Sequence, residues 1–308
     1  MTTYVGRFGP SPTGPLHFGS LVAAVGSYLQ ARSRGGRWLV RIEDLDPPRE
    51  VPGAAGEILA TLERLGFEWD GDVACQSRRS EHYEAALAAL AARGAVYECS
   101  CSRKDATVAA AGDGGSVYPG TCRSGARVGA VATAVRVRTQ PITIEVHDRL
   151  QGTLAQQLER DVGDFVVRRR DGWFAYQLAV VVDDHLQGVT EVVRGSDLLD
   201  STPRQHYLQS LLNMPHPQYV HLPVVLAADG RKLSKQNGAA PISQKSPAHA
   251  LHSALTFLHQ HPPEELRDER DLDAIWAWAV KSWRPEVLQG VRARGWDEAV
   301  FARSSDGN

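Results

Sequence analysis

Thr3-Tyr4-Val5-Gly6-Arg7-Phe8-Gly9-Pro10-Ser11-Pro12-Thr13-Gly14-Pro15-Leu16-His17-Phe18-Gly19-Ser20 begins as an alternating segment and passes through a loop of glycines and prolines. It then enters a run, Ser20 to Arg34, with apolar residues at helical spacing. The order is strand, loop, helix. Downstream, Trp38 to Ile42 follows Gly35-Gly36 as a short β-prone run, and Ala54 to Leu65 follows Pro47-Pro48 with helical period again. A β-α-β-α order predicts an α/β fold: a parallel sheet with helices on its faces and ligands beyond the carboxyl ends of the strands. The first loop is therefore a candidate site. Gly14 and Gly19 around Leu16-His17-Phe18 let backbone approach a ligand closely where helix amides point outward, which makes an anion site.

Further along, Ser80 is read as the cap of a helix to Arg93, with Gly94 as its stop. The pattern then breaks into a cysteine-bearing stretch, Tyr97 to Cys122, with a soft segment from Ala109 to Gly115. Val135 to Val137 and Ile142 to Val146 read as strands, and Phe165 to Arg168 before Asp171-Gly172 and Trp173-Phe174 reads as a hairpin. A sheet-like insertion is expected here. Thr190 to Arg194 returns as a strand, Thr202-Pro203 opens a helix, and Tyr219 to Leu226 is a last strand before a polar loop. Ser246-Pro247 starts a helical remainder in which Trp276, Trp278 and Trp283 are read as packing onto the main domain, with stacking on RNA bases as the alternative, and Ser304 to Asn308 is expected to be disordered. The expected units are 1–95 and 176–240 as the halves of one catalytic domain, 96–175 as the insertion, and 241–308 as a short C-terminal helical region.

The 308-residue chain is 43% hydrophobic and 23% charged, which places it among globular proteins that fold by ordinary burial. A net charge of −2 gives no case for a nucleic-acid coat protein, so any RNA contact must be local. Met1 to Pro12 lacks a signal pattern, and the purest apolar run, Leu178 to Val182, is far too short to span a bilayer, so a cytoplasmic protein is expected. Cys99, Cys101 and Cys122 are too few and too clustered for a disulfide framework and suit a reduced zinc site, whereas Cys75 stands apart. Tetrahedral zinc wants a fourth ligand, and general ligand frequencies favour a His or an Asp such as Asp113. His249, His252, His259 and His261 lack a converging partner and are read as a solvated surface. Arg168-Arg169-Arg170 is a basic hairpin tip, open to two readings: contact with RNA phosphates, or a soluble tip.

The Pro10 to Ser20 stretch together with Lys232-Leu233-Ser234-Lys235-Gln236 resembles the HIGH and KMSKS motifs of class I aminoacyl-tRNA synthetases. Arg41-Ile42-Glu43-Asp44-Leu45-Asp46, the stretch Tyr176 to His185, and Val193-Arg194-Gly195 resemble the glutamyl branch of that class. The resemblance covers roughly residues 3 to 240. Residues 237–308 are too few for the anticodon-binding region of full glutamyl-tRNA synthetases. The chain is thus similar to the truncated glutamyl-Q tRNA(Asp) synthetases, and Cys99, Cys101, Tyr118 and Cys122 are similar to their zinc site, with Tyr118 as the fourth ligand.

That resemblance implies a Rossmann-type catalytic domain, an inserted zinc-containing α+β subdomain, and no anticodon-binding domain. It implies ATP-dependent, tRNA-independent activation of L-glutamate and its transfer to queuosine in the anticodon loop of tRNA(Asp). A glutamate brings two carboxylates and an ammonium, which Arg7, Arg194, Glu43 and Tyr176 can meet with guanidinium groups, an anion and a hydroxyl. The family implies these positions, with Phe8, Gly9, Pro10 and Ser11 added; it places ATP against His17, Gly19, Ser20 and Lys235, and catalysis with His17, Lys232 and Lys235. Mg2+ would accompany ATP, one structural Zn2+ is expected per chain, and a monomer is expected. Asp183-Asp184-His185 is read as a structural turn or an element behind the site, because the family uses no catalytic metal there. The competing functions are a glutamyl-tRNA synthetase core charging a tRNA 3′ end, and an inactive RNA-binding paralogue, which the presence of Lys235, His17 and Glu43 argues against.

Overall fold

The structure is a computed structural model that describes residues 3–102, 108–109, 116–126, 129, 133–233, 242 and 246–296. Asp113, Ser234, Lys235, Gln236 and residues 304–308 lie outside the described residues. Strand β1 (Val5–Phe8) leads through the glycine-proline loop into α1 (Phe18–Arg32), followed by β2 (Arg37–Ile42), α2 (Ala54–Arg64) and β3 (Ala74–Cys75). The three strands pair in parallel, as the alternating order requires. Helix α1 starts ahead of Ser20 because His17 takes the cap position, its Nδ1 accepting from the Ser20 backbone N–H. In α3 (Ser80–Ala92), Ser80 is the first helical residue and Arg79 the cap, so Ser80 does not cap the helix as expected.

The segment read as one insertion divides. It contains β4 (Val96–Cys99), β5 (Val108–Ala109), β6 (Ser116–Val117), β7 (Ala134–Val137), β8 (Thr143–Asp148), β9 (Gly152–Gln157), α4 (Leu158–Asp161) and β10 (Val166–Arg168). Strands β10, β7 and β4 form their own antiparallel sheet, and β5 pairs with β6. The β8–β9 hairpin belongs elsewhere. After α5 (Tyr176–Leu186) come β11 (Glu191–Gly195), α6 (Thr202–Leu212) and β12 (Gln218–Leu222), and β12 pairs in parallel with both β11 and β8. Residues 143–157 therefore extend the parallel sheet rather than the inserted one. Thr190 ties β11 to β1, its backbone N–H donating to the Val5 carbonyl at 2.9 Å.

The expected last strand is two, β12 and β13 (Val224–Leu226), because Pro223 cannot donate to a ladder. Helices α7 (Pro247–Phe257) and α8 (Leu272–Ser282) follow, and β14 (Ala293–Gly295) pairs with β13. The Leu178 to Val182 run is fully buried within α5. Trp276 and Trp283 are buried in the main core, their indole N–H groups donating to the Leu65 carbonyl and the Gln30 amide oxygen. His249 and His252 are also buried, contrary to the reading of that histidine set as solvated, because α7 packs against α1 and α8. Among the described residues no helix is long and apolar enough to cross a membrane.

Candidate active site

The carboxyl ends of β1 and β11, the first loop and the start of α1 surround a pocket of about 390 Å³. Phe8, Gly9, Pro10, Ser11, His17, Gly19, Ser20 and Lys232 all line it. The loop is held against β2 by the Glu43 backbone N–H, which donates to the Pro10 carbonyl at 3.0 Å. His17 folds over the opening turn of α1: besides its cap bond, its Nε2 lies 3.1 Å from Ser20 Oγ. A Cβ on Gly19 would sit 3.1 Å from the imidazole, so a larger residue there would push the ring aside by a few tenths of an ångström. The first turn of α1 carries no acidic side chain, which leaves its positive end unquenched toward the pocket. On the far wall, Lys232 Nζ donates to Asp197 Oδ2 at 2.6 Å.

Arg7, Glu43, Tyr176 and Arg194 lie behind the pocket in two arrangements. In the first, Asp184 bridges two guanidinium groups, Arg7 Nε at 3.1 Å and Arg41 Nη1 at 2.8 Å, while Arg41 Nη2 donates to Glu43 Oε1 at 3.1 Å. Burial alone would raise the Asp184 carboxyl; Arg7 and Arg41 overturn this and hold it below its ordinary value. Burial pushes the Glu43 carboxyl up, against the pull of Arg41 and Arg7. Glu43 also packs onto Gly9, where a Cβ would fall 2.4 Å from Oε1, so a larger residue there displaces the carboxylate.

Asp183 faces the other way and accepts from Gln76 Nε2, Arg79 Nε and Tyr83 Oη at 2.8, 2.6 and 2.7 Å. The acidic pair is thus an element behind the site, carried by a helix rather than by a turn.

In the second arrangement Arg194, at the end of β11, is held by uncharged groups. Its Nη1 donates to Tyr176 Oη at 3.2 Å, its Nη2 to Thr202 Oγ1 at 3.0 Å, and its Nε to His221 Nε2 at 3.0 Å. Among the described residues no carboxylate pairs with it, unlike Arg7 and Arg41. His221 in turn faces Asp148, with Nδ1 to Oδ2 at 2.6 Å. Asp148, Asp197, Thr202 and His221 were not anticipated as part of the site. The one available signal was a lone histidine inside the apolar strand Tyr219 to Leu222.

A separate cluster holds Cys99, Cys101 and Cys122, with ligand atoms all within 4.8 Å of one another. Cys101 Sγ is 3.5 Å from Cys122 Sγ, and Tyr118 Oη lies 3.3 and 3.6 Å from the sulfurs of Cys99 and Cys101. The Cys122 backbone N–H donates to that same oxygen at 3.0 Å. Burial would raise the Cys122 thiol, but the Ser100 backbone and the neighbouring Tyr118 and Cys101 side chains hold it at about 6. These are the only described residues grouped closely enough to hold a metal ion, and Cys75 is not among them.

The basic tip is tied to the cysteine segment, to the loop after β2 and to α3. Arg170 donates to the carbonyls of Ser100 and Cys101 at 2.8 and 2.7 Å, Arg169 to Asp46 and Asp171, and Arg168 pairs with Glu84.

The tRNA synthetases class I (E and Q), catalytic domain family matches residues 4–109 and 122–255. The chain is 57% identical over 281 residues to the glutamyl-Q tRNA(Asp) synthetase of Aromatoleum aromaticum, covering 91% of this chain and 89% of the relative. It is 51% identical over 298 residues to that of Ectopseudomonas mendocina, covering 97% and 98%. In fold it resembles a glutamate tRNA ligase of Elizabethkingia meningosepticum in complex with its amino acid, with a TM-score of 0.77, 22% identity, and coverage of 96% of this chain and 67% of that one. On sequence and fold together, the chain belongs to the class I (E and Q) tRNA synthetase family, among the glutamyl-Q tRNA(Asp) synthetases.

Proposed function

We propose that the protein activates L-glutamate with ATP, without RNA, and transfers it to the queuosine of the tRNA(Asp) anticodon loop. The observation that carries this reading is Arg194: a buried guanidinium held only by uncharged acceptors, behind a pocket that ends on the start of α1, with the Glu43 carboxyl against Gly9 of the first loop. A site of that charge pattern fits a substrate with carboxylates and an ammonium. Arg194, Tyr176 and Arg7 would take the carboxylates, Glu43 the ammonium, and Phe8 to Ser11 the backbone of the amino acid. ATP would lie against His17, Gly19 and Ser20, with Lys232 and Lys235 on its phosphates.

In the first step an α-carboxylate oxygen of glutamate attacks the α-phosphorus of ATP, an oxygen–phosphorus bond forms, and the bond to pyrophosphate breaks. The carboxylate is already ionised at neutral pH, so no general base is needed. The protein positions the reactants and offsets charge on the phosphates, a task for the α1 amides, His17 and the two lysines. A magnesium ion travelling with ATP neutralises part of that charge. In the second step a queuosine hydroxyl attacks the carbonyl carbon of the mixed anhydride, and AMP leaves. The RNA would approach along a groove of about 1010 Å³ lined by Arg49, Arg136, Arg169 and Arg170 together with Asp46 and Asp171, which pair with Arg169; Arg49 also borders the ATP pocket.

The thiol cluster fits zinc. With metal–sulfur bonds near 2.3 Å and metal–oxygen bonds near 2.0 Å, the edges of a tetrahedral site are about 3.5–3.8 Å. The Cys101–Cys122 and Tyr118–thiol distances lie near those edges, which supports Tyr118 as the fourth ligand. Zinc there would be closed to solvent and structural, holding residues 96–126 together.

The test is incubation with ATP, radiolabelled glutamate and tRNA pools that contain or lack queuosine. Label should enter only queuosine-containing tRNA, and ribonuclease digestion should recover it in the anticodon-loop fragment rather than on the 3′-terminal adenosine. Label at the 3′ end, regardless of queuosine, would instead establish the synthetase-core reading.

A further inference from the structure

Asp148 is buried at the end of β8, where its Oδ1 accepts backbone N–H groups from Leu150, Gln151 and His221 at 3.0, 2.8 and 3.3 Å. That set of donors stabilises the ionised form, and His221 adds to it: burial alone would raise the Asp148 carboxyl, yet the contacts leave it below its ordinary value. A carboxylate can only accept, so the 2.6 Å contact with His221 Nδ1 places a proton on Nδ1. The opposite ring nitrogen, Nε2, faces the Nε–H of Arg194 at 3.0 Å, and a guanidinium can only donate. Nε2 must therefore present a lone pair, and the ring is neutral. Burial, first, and the charge of Arg194 both favour that neutral form. Strand pairing fixes the register, since Arg194 and His221 are direct partners across β11 and β12.

The chain holds its other buried arginines differently. Arg7 gives its Nε to a carboxylate, Asp184, which also takes Arg41. A carboxylate at the Nε of Arg194 would fix the guanidinium equally well but would satisfy its charge internally. Leu198 O, Thr202 Oγ1 and Tyr176 Oη occupy three further N–H groups, which among the described residues leaves one Nη1 N–H over. We propose that His221, locked as its Nδ1–H tautomer by Asp148, is a positioning residue that orients Arg194 through an uncharged acceptor, so that the charge of the guanidinium is kept for a carboxylate of the amino-acid substrate. The inference rests on the reading of glutamate as that substrate.

The test compares three variants in glutamate-dependent ATP–pyrophosphate exchange, with 15N NMR of the wild-type imidazole alongside. His221→Leu should raise the KM for glutamate roughly tenfold or more, the loss expected for a buried charge-assisted hydrogen bond, while the KM for ATP stays within about twofold. His221→Gln, which supplies an uncharged acceptor, should recover most of that affinity. His221→Glu keeps an acceptor but adds a carboxylate and should bind glutamate worse than His221→Gln. Equal glutamate KM values for the Gln and Glu variants would overturn the proposal, as would an imidazolium signal for His221 at neutral pH. The NMR reading needs neither a variant that folds nor an active enzyme. Absence of glutamate-dependent exchange in the wild type would sink the functional reading instead, with the tautomer still decided.

Discussion

The elements that carry Arg7, Glu43 and Arg194 rest on two extensive apolar clusters, built from α1, α5, the parallel strands and the C-terminal helices. The segment that carries the cysteines has a cluster of its own with five members, Tyr97, Cys99, Cys101, Tyr118 and Cys122, four of them the candidate metal ligands themselves. Arg7 and Glu43 are thus held by packing and buried ion pairs, and Arg194 by packing and uncharged acceptors, on strands and helices that would form anyway. The thiols have little besides one another. The difference teaches where stability and chemistry should separate: damage to the buried polar network should be felt throughout the domain, and loss of the thiol site should be felt locally.

The hardest test of that separation is Asp183→Ala. It strips a fully buried carboxylate from Gln76, Arg79 and Tyr83 and leaves Arg41 with less compensation, so it should destabilise the fold by about 3–5 kcal/mol in a denaturant titration. A change under about 1 kcal/mol would show that the network is not what holds these elements. Next in size, Lys235→Ala should slow adenylate formation by roughly a hundredfold with little change in glutamate affinity, because its charge acts on the phosphates in the transition state.

Glu43→Gln should do the reverse, raising the glutamate KM by about tenfold as the anion facing the ammonium is lost. Equal effects of the two changes on glutamate affinity would undo the division of roles. The smallest effect on activation belongs to Cys101→Ser. Zinc content should fall from about one per chain and residues 97–122 should become protease-sensitive, while RNA-free activation stays within about threefold. A collapse of activation in a variant that melts normally would merge the two regions into one.

The first β-α-β-α stretch was legible because it is local: a glycine-proline loop and a helical period are written in adjacent residues. The convergence of the three cysteines was readable for the same reason, and Lys232 does line the pocket. What escaped depends on strand order. Nothing in residues 143–157 says whether that hairpin pairs with β7 or β12, since an alternating pattern specifies a strand and not its neighbour. The same gap hid Asp148 and His221, which reach Arg194 only because β8, β12 and β11 lie side by side. His249 and His252 misled in the opposite direction, since polarity suggested a surface and α7 is packed between neighbours. Arg168 to Arg170 carry three charges that the fold largely engages itself, on Glu84, Asp46, Asp171 and the backbone of the cysteine segment.

The central claim is that the cleft is complete without RNA. It is tested most directly by ATP–pyrophosphate exchange with magnesium, ATP and L-glutamate and no RNA. Glutamate-dependent entry of labelled pyrophosphate into ATP is the predicted result, whereas exchange that begins only when tRNA is added would mean that RNA completes the site.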